Sequence, residues 1–308
     1  MRRVLLVATG DTMAYHRRGV ATAAELLRAV DVRGVAVSTE DIMAEPSWDT
    51  SAGTMFTLAR RVRAALLDED FAGVVVTHGL DTLTDTAFLT DLMAGPAAMR
   101  GGIVFTGALR CLDQPGTDGP ANLRDAIAAA ADPAARGLGA LVCCHGELHA
   151  ARWATLVDAS HRPAFSSVPH GPLRLGRSSL RRFPYVPAEP ESDVALIKTY
   201  PGMPASLLTA ATDAGARGLV LQGTGAGNVP VELFTTIDEL STWDIPVVVA
   251  SRARVDPDAP RHEATGLAEK VGAISARGLP PAHARIAAMV ALGAGGVAAV
   301  RDWFDRLP

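Results

Sequence analysis

The chain has 308 residues, 48% of them hydrophobic and 20% charged, and its 29 Lys and Arg against 33 Asp and Glu leave a formal net charge of −4. That apolar content excludes intrinsic disorder, the lack of a basic surplus argues against a nucleic-acid scaffold, and the length exceeds what one hydrophobic core usually serves. The three cysteines, Cys111, Cys143 and Cys144, do not form a disulfide framework and fit a reducing compartment.

In chain order, the apolar run at residues 4–8 reads as a buried strand; Gly10-Asp11 ends it, and it is too short for a signal peptide. Thr22-Ala23-Ala24-Glu25 has the form of a capping box and opens a helix carrying Leu26, Leu27 and Val30. Strands follow at 35–37, 74–76, 103–105 and 141–143, separated by helices at 57–67, 86–93 and 122–131. Strands alternating with helices imply an α/β fold with a mostly parallel sheet flanked by helices. The periodicity breaks at 177–190, which is rich in Arg, Ser and Pro. A second alternating block follows, with strands at 194–197, 218–221 and 247–250 and helices at 205–211, 231–240, 282–291 and 296–304. The expectation is a larger N-terminal α/β domain over 1–176, a linker over 177–190 and a smaller C-terminal α/β domain over 191–308. No uninterrupted apolar stretch of about 18 residues occurs, so no membrane span is expected; a soluble cytoplasmic protein is.

Ligands of open parallel sheets sit at the carboxyl ends of the strands. There the sequence places Thr9-Gly10-Asp11-Thr12, then Ser38-Thr39-Glu40-Asp41, then Thr77-His78-Gly79-Leu80-Asp81-Thr82, then Thr106-Gly107-Ala108. Any one loop is explained by helix capping. Together, hydroxyls, carboxylates and glycines at one sheet edge point to a small polar ligand.

These segments resemble the bacterial-type L-asparaginase (asparaginase/glutaminase) family. The family's Thr-Gly-Gly-Thr-Ile-Ala signature matches Thr9-Gly10-Asp11-Thr12-Met13-Ala14, and its Ile-Thr-His-Gly-Thr-Asp-Thr signature matches Val76-Thr77-His78-Gly79-Leu80-Asp81-Thr82. Thr106-Gly107-Ala108-Leu109-Arg110, Asp118-Gly119-Pro120-Ala121-Asn122-Leu123 and the glycine-rich turn 223–228 fall in the family's order. The resemblance implies hydrolysis of a side-chain amide through a covalent acyl-enzyme, with a threonine hydroxyl attacking the carbonyl. A threonine hydroxyl needs a base to take its proton, and the oxyanion needs N–H donors.

By position the resemblance makes Thr12 the nucleophile; the family's activating tyrosine lies about a dozen residues further on, so either Tyr15, close behind Thr12, takes that role or the role is vacant. Asp81 falls on the acid that holds the substrate ammonium, Thr39 and Glu40 on the residues at the substrate's polar end, and backbone N–H groups near Gly79 and Thr12 on the oxyanion donors. Asn228 would reach a neighbouring subunit's site in a homodimer or homotetramer. A small-molecule substrate and no cofactor are implied.

The sequence departs from the family at four points. Leu80 stands where the family has a second threonine, Leu156 falls where it has a lysine, and no lysine occurs between His145 and Ser166. Leucine neither donates, accepts nor titrates. Only a short segment separates Tyr15 from the helix opening at Thr22, which leaves the pocket more open. Asp11 replaces a glycine and is read foremost as a turn cap. The expected substrate is therefore an amide larger or less polar than free asparagine. Two alternatives are a same-fold enzyme that cleaves an ester or amide, or cyclises, a biosynthetic intermediate, and an inactive ligand-binding protein.

Other candidates read as structural. Cys143-Cys144-His145-Gly146-Glu147-Leu148-His149 has metal-ligand residue types, but a hairpin after a strand would separate them, and buried cysteines are the simpler reading. Gly223-Thr224-Gly225-Ala226-Gly227 lacks the third glycine of a dinucleotide fingerprint. His78 could act as a base, and His16-Arg17-Arg18 reads as a solvated loop.

Overall fold

The structure, a computed structural model, describes residues 1–307 except 44, 179, 181–182, 184, 186–187 and 255–265. It divides into two compact units, residues 1–182 and 183–308, and the division falls inside the Arg, Ser and Pro-rich stretch. Among the described residues no helix is long and apolar enough to cross a membrane.

The first unit is built on a six-stranded sheet. In chain order its strands are β1 (Arg2–Ala8), β4 (Val35–Asp41), β5 (Gly73–Thr77), β6 (Gly102–Thr106), β7 (Ala140–Cys144) and β8 (Glu147–Ala150). They lie in the order β4-β1-β5-β6-β7-β8, parallel throughout except for the antiparallel β7–β8 pair. The covering helices are α1 (Ala23–Arg28), α2 (Ala52–Leu67), α3 (Leu80–Ala94) and α4 (Gly119–Ala131). A short hairpin, β2 (Tyr15–His16) with β3 (Gly19–Val20), and the pair β9 (Thr155–Leu156) with β10 (Phe165–Ser166) complete the unit.

The period of two along β1 distributes its side chains between two layers. Leu5 and Val7 pack with Leu58 and Val62 of α2 and Leu83 and Ala87 of α3. Val4 and Leu6 pack with Leu26 of α1 and Leu123, Ala126 and Ile127 of α4. A central strand covered on both faces reads as a continuous apolar run, as residues 4–8 do. At the sheet edge, β4 is half exposed and mixes polar with apolar residues.

The helices begin where capping chemistry is available. Thr22 and Glu25 form a reciprocal capping box on α1, and the Ser51 side chain accepts from the Thr54 N–H to start α2, earlier than the apolar period indicates. Likewise α3 starts at Leu80, directly after Gly79, because a polar first turn (Asp81, Thr82) hides the helical period. The β7–β8 turn has positive φ at His145 (54°) and Gly146 (78°), the pattern of a type I′ hairpin.

The second unit carries four parallel strands, β11 (Val194–Lys198), β12 (Gly218–Gly223), β13 (Val247–Ser251) and β14 (Ile274–Ser275), adjacent in chain order. Between them run α5 (Ser206–Asp213) and α6 (Phe234–Thr242), and the chain closes with α7 (Pro281–Leu292) and α8 (Val297–Asp305). Leu219 and Leu221 pack with Leu233, Ile237 and Leu240, while α7 lies against β11–β13.

Candidate active site

The chain runs from β1 out to β4 at the sheet edge and then crosses back to β5 on the other side of β1. At such a reversal the connections leave a crevice at the carboxyl ends of the two central strands. Here those ends are Thr9–Thr12 after β1 and His78–Gly79 after β5.

Gly10 and Asp11 both take positive φ, 83° and 67°. That conformation suits glycine and is tolerated by aspartate at a cost. It turns the chain sharply after β1, so that the Ala14 and Tyr15 N–H groups donate back to the Asp11 carbonyl (2.8 and 3.0 Å). The Asp11 side chain is buried, with 1% of its surface exposed. Its Oδ1 accepts from the Thr12 N–H (2.5 Å) and from the Thr12 hydroxyl (2.9 Å), and its Oδ2 accepts from the Ser47 N–H (2.6 Å). Burial by itself would raise this carboxyl; the Ser47 and Thr12 donors outweigh it and hold the group below the usual carboxylate range.

Ser47, on the short turn after β4, is the link to α3. Its hydroxyl donates to Asp81 Oδ2 (3.2 Å), and its carbonyl accepts from the Thr82 hydroxyl (2.7 Å). Gly79 makes this geometry possible, because a Cβ there would lie 2.0 Å from Asp11 Oδ2 and 2.2 Å from Ser47 Oγ. Thr12, Asp11, Ser47 and Asp81 thus form one hydrogen-bonded chain across the crevice, with Asp81 exposed in the first turn of α3.

Of the residues singled out in the sequence, Thr12, Gly79, Leu80 and Asp81 lie in or against this chain. Thr39 and Glu40 do not. Strand β4 continues through Asp41, so both are strand residues, paired with Leu6 and Val7. The Glu40 carboxylate is held by the Arg61 guanidinium of α2 (2.7–2.9 Å), and among the described residues no hydrogen bond joins Thr39 or Glu40 to Asp11, Ser47 or Asp81. Strand β4 runs four residues beyond the apolar stretch 35–37, and Ser47, which the sequence marks only by its place in the irregular stretch between β4 and α2, joins the hydrogen-bonded chain instead. The Asp11 carboxylate likewise holds two loops together rather than capping one turn.

Tyr15 stands in β2 beside a cleft of about 330 Å³ that it lines with His16, Arg17, Cys111, Asp113 and Gln114. Burial, then the Asp11 charge, raise its phenol. The Thr12 N–H is committed to Asp11 and is not a free oxyanion donor. Asn228 belongs to the second unit. Its backbone bridges Thr224 (2.8 Å in both directions), and its Oδ1 accepts from the Gly266 N–H (3.4 Å).

Leu80, 9% exposed, and Leu156 belong to one apolar cluster with Ile42, Met43 and Leu109. The chain has two lysines, Lys198 and Lys270, both in the second unit. Within the first unit the site therefore lies against packed hydrocarbon, with no ammonium side chain of its own.

The remaining candidates are occupied elsewhere. His78 is buried, with Nδ1 2.9 Å from the Gly79 carbonyl and Nε2 3.0 Å from the Thr86 hydroxyl. A carbonyl can only accept, so Nδ1 carries the proton and Nε2 accepts; burial lowers the ring's pKa and keeps it neutral. His145 Nε2 lies 2.8 Å from Asp118, whose carboxylate also accepts from the Leu109 and Arg110 N–H groups. His149 instead meets Ser167 (2.8 Å). Cys143 and Cys144 are buried, and burial pushes the Cys144 thiol up to about 12. Among the described residues no group of three or more His, Cys, Asp or Glu is placed to hold a metal ion.

Comparison with known proteins covers nearly the whole chain. The family described as "Asparaginase, N-terminal" matches residues 3–182, and "Glutaminase/Asparaginase C-terminal domain" matches 193–304. A "Probable L-asparaginase" of Deinococcus radiodurans is 32% identical, over 95% of this chain and 94% of that protein. "L-asparaginase 2" of Bacillus subtilis is 27% identical, over 94% and 82% respectively. The crystal structure of a "Probable Cytoplasmic L-asparaginase" from Campylobacter jejuni superposes with a TM-score of 0.84 at 25% identity, covering 100% of both chains.

Proposed function

Because the chain belongs to the asparaginase family, an amidohydrolase acting on a carbon–nitrogen bond, we propose that Thr12 is its nucleophile and that its substrate is an amide larger or less polar than free asparagine. The observation that carries the first part is the Thr12 hydroxyl donating to a buried carboxylate at the carboxyl end of β1. In this reading Thr12 Oγ1 attacks the acyl carbon, the carbonyl pair moves to oxygen, and collapse expels the amine to leave a threonyl ester that water hydrolyses. The N–H groups that open α3, at Leu80 and Asp81, are the oxyanion donors, since a helix's first turn has no intrahelical acceptors. Asp81 and Ser47 hold the substrate's ammonium end, Asp81 by a charge-assisted contact.

Three features support the larger substrate: the apolar wall of Leu80 and Leu156, the short β2–β3 hairpin in place of a long lid, and the cleft beside Tyr15. The protein works in this reading as a cytoplasmic homodimer or homotetramer. Half-exposed Leu196, Tyr200 and Leu207 around edge strand β11 supply apolar surface for a second copy.

The test measures amine release from L-asparagine and from a series of β-substituted aspartyl amides, with wild type and Thr12→Ala. Thr12→Ala should abolish turnover while the protein stays folded, and bulkier amides should show the higher kcat/KM. Turnover that survives in Thr12→Ala sinks the nucleophile; a clear preference for L-asparagine sinks the substrate reading.

A further inference from the structure

Where the resemblance implies a threonine and a lysine, this chain has packed leucines, and its first unit contains no lysine at all. His78 is turned away into hydrogen bonds with Gly79 and Thr86, and burial beside the Asp11 charge raises the Tyr15 phenol. The reacting hydroxyl nevertheless has an acceptor. Asp11 Oδ1 lies 2.9 Å from Thr12 Oγ1, while Ser47 anchors the other carboxylate oxygen. The arrangement has a structural cost: a non-glycine residue at φ 67°, a buried carboxylate, and a glycine at 79 to make room. Strain and burial concentrated on one ionisable group, in hydrogen-bond contact with the nucleophile, are the features that functional sites gather.

We propose that Asp11 is the general base of this enzyme, taking the Thr12 proton directly in place of the missing threonine–lysine pair. The inference rests on Thr12 being the nucleophile. As the Oγ1–C bond forms, the Oγ1 proton passes to Asp11 Oδ1 and the carbonyl electron pair becomes the oxyanion. When the tetrahedral intermediate collapses, the C–N bond breaks and the same proton goes to the departing amine. In the second half Asp11 accepts a proton from the attacking water and returns it to Thr12 Oγ1 as the ester C–O bond breaks. Asp11 ends each cycle ionised, and no other co-reactant is needed. Ser47 is a positioning residue, acting through Oδ2.

The experiment follows amine release from L-asparagine and 4-nitroaniline release from L-aspartate β-(4-nitroanilide) across pH, using wild type, Thr12→Ala, Asp11→Asn and Asp11→Gly. Removing a general base typically costs about 10²–10⁴-fold in rate, so Asp11→Asn should lose that much in kcat with KM little changed. Wild-type kcat/KM should be flat above about pH 5, well clear of an ordinary aspartate near 3.9. Asp11→Asn should instead rise with pH, as hydroxide takes over the proton. Asp11→Gly opens a space the size of a carboxylate, and added formate should restore part of its rate. A purely structural Asp11 would leave the pH profile flat and show no formate rescue, and that result overturns the proposal even if Asp11→Asn folds poorly. Loss of turnover in Thr12→Ala with wild-type turnover in Asp11→Asn overturns this inference alone. Wild-type turnover in Thr12→Ala overturns the reading beneath it.

Discussion

Gly79→Ala is the sharpest structural test of how the two loops fit together. The added methyl would lie 2.0 Å from Asp11 Oδ2, 2.2 Å from Ser47 Oγ and 2.3 Å from Asp11 Cγ. Contacts that short cannot be accommodated, so the Asp11 carboxylate must move off the Ser47 N–H. Overpacking a buried site costs about 1–3 kcal/mol, and each buried hydrogen-bonding group left without its partner adds about 1–3 kcal/mol. The sum is roughly 3 kcal/mol or more, which at about 2–4 °C per kcal/mol lowers the melting temperature by roughly 6–12 °C. The assay is a double-mutant cycle in thermal and urea unfolding with Gly79→Ala, Asp11→Gly and the pair. Deleting the Asp11 side chain removes the worst contact, so Gly79→Ala should cost about 1–3 kcal/mol less in the Asp11→Gly background. Ser47 Oγ can rotate away at the expense of its Asp81 bond, so recovery should be incomplete. Equal costs of Gly79→Ala in both backgrounds would mean that the carboxylate does not rest on Gly79.

Four further outcomes follow from the same geometry. Glu40→Gln should leave kcat/KM within about twofold and cost no more than about 1 kcal/mol, as for a partly exposed ion pair; a large loss of activity would return Glu40 to the site. Thr86→Val deprives buried His78 Nε2 of its donor and should destabilise the protein by about 1–3 kcal/mol with an unchanged pH–rate profile, read by calorimetry and turnover. Leu80→Thr should lower stability by about 1–3 kcal/mol and should not raise activity on L-asparagine, since the first unit contains no lysine to complete a catalytic set. The lowered carboxyls of Asp11 and Asp118 stabilise the fold above the ordinary aspartate range, and that contribution disappears as pH falls through their folded-state values. Acid unfolding followed by circular dichroism should therefore be less steep in Asp11→Asn than in wild type.

The sequence revealed the sheet and its cover because those rest on long-range averages: apolar runs for central strands, a helical period for α2 and α4, and a capping box at Thr22. The candidate site was partly legible for the same reason, since strand ends point to loops, and the loops after β1 and β5 carry Thr12 and Asp81, which the structure brings to one crevice. What escaped was set by tertiary geometry. Edge strand β4 is half exposed, so its polar end looked like a loop and drew attention to Thr39 and Glu40, whereas Ser47 sits in an aperiodic turn that no local pattern distinguishes. The Asp11 side chain gains its meaning from the missing Cβ of Gly79, a contact between residues 68 positions apart in the chain. Its partners, Thr12 and Ser47, likewise reveal themselves in space and not along the sequence.

The most direct measurement is intact-protein and peptide mass spectrometry of the enzyme quenched in acid during turnover of an aspartyl amide. An added aspartyl mass is expected on the peptide containing Thr12, present in wild type and absent from Thr12→Ala. An adduct on any other residue, or steady turnover by Thr12→Ala, would contradict Thr12 as the nucleophile.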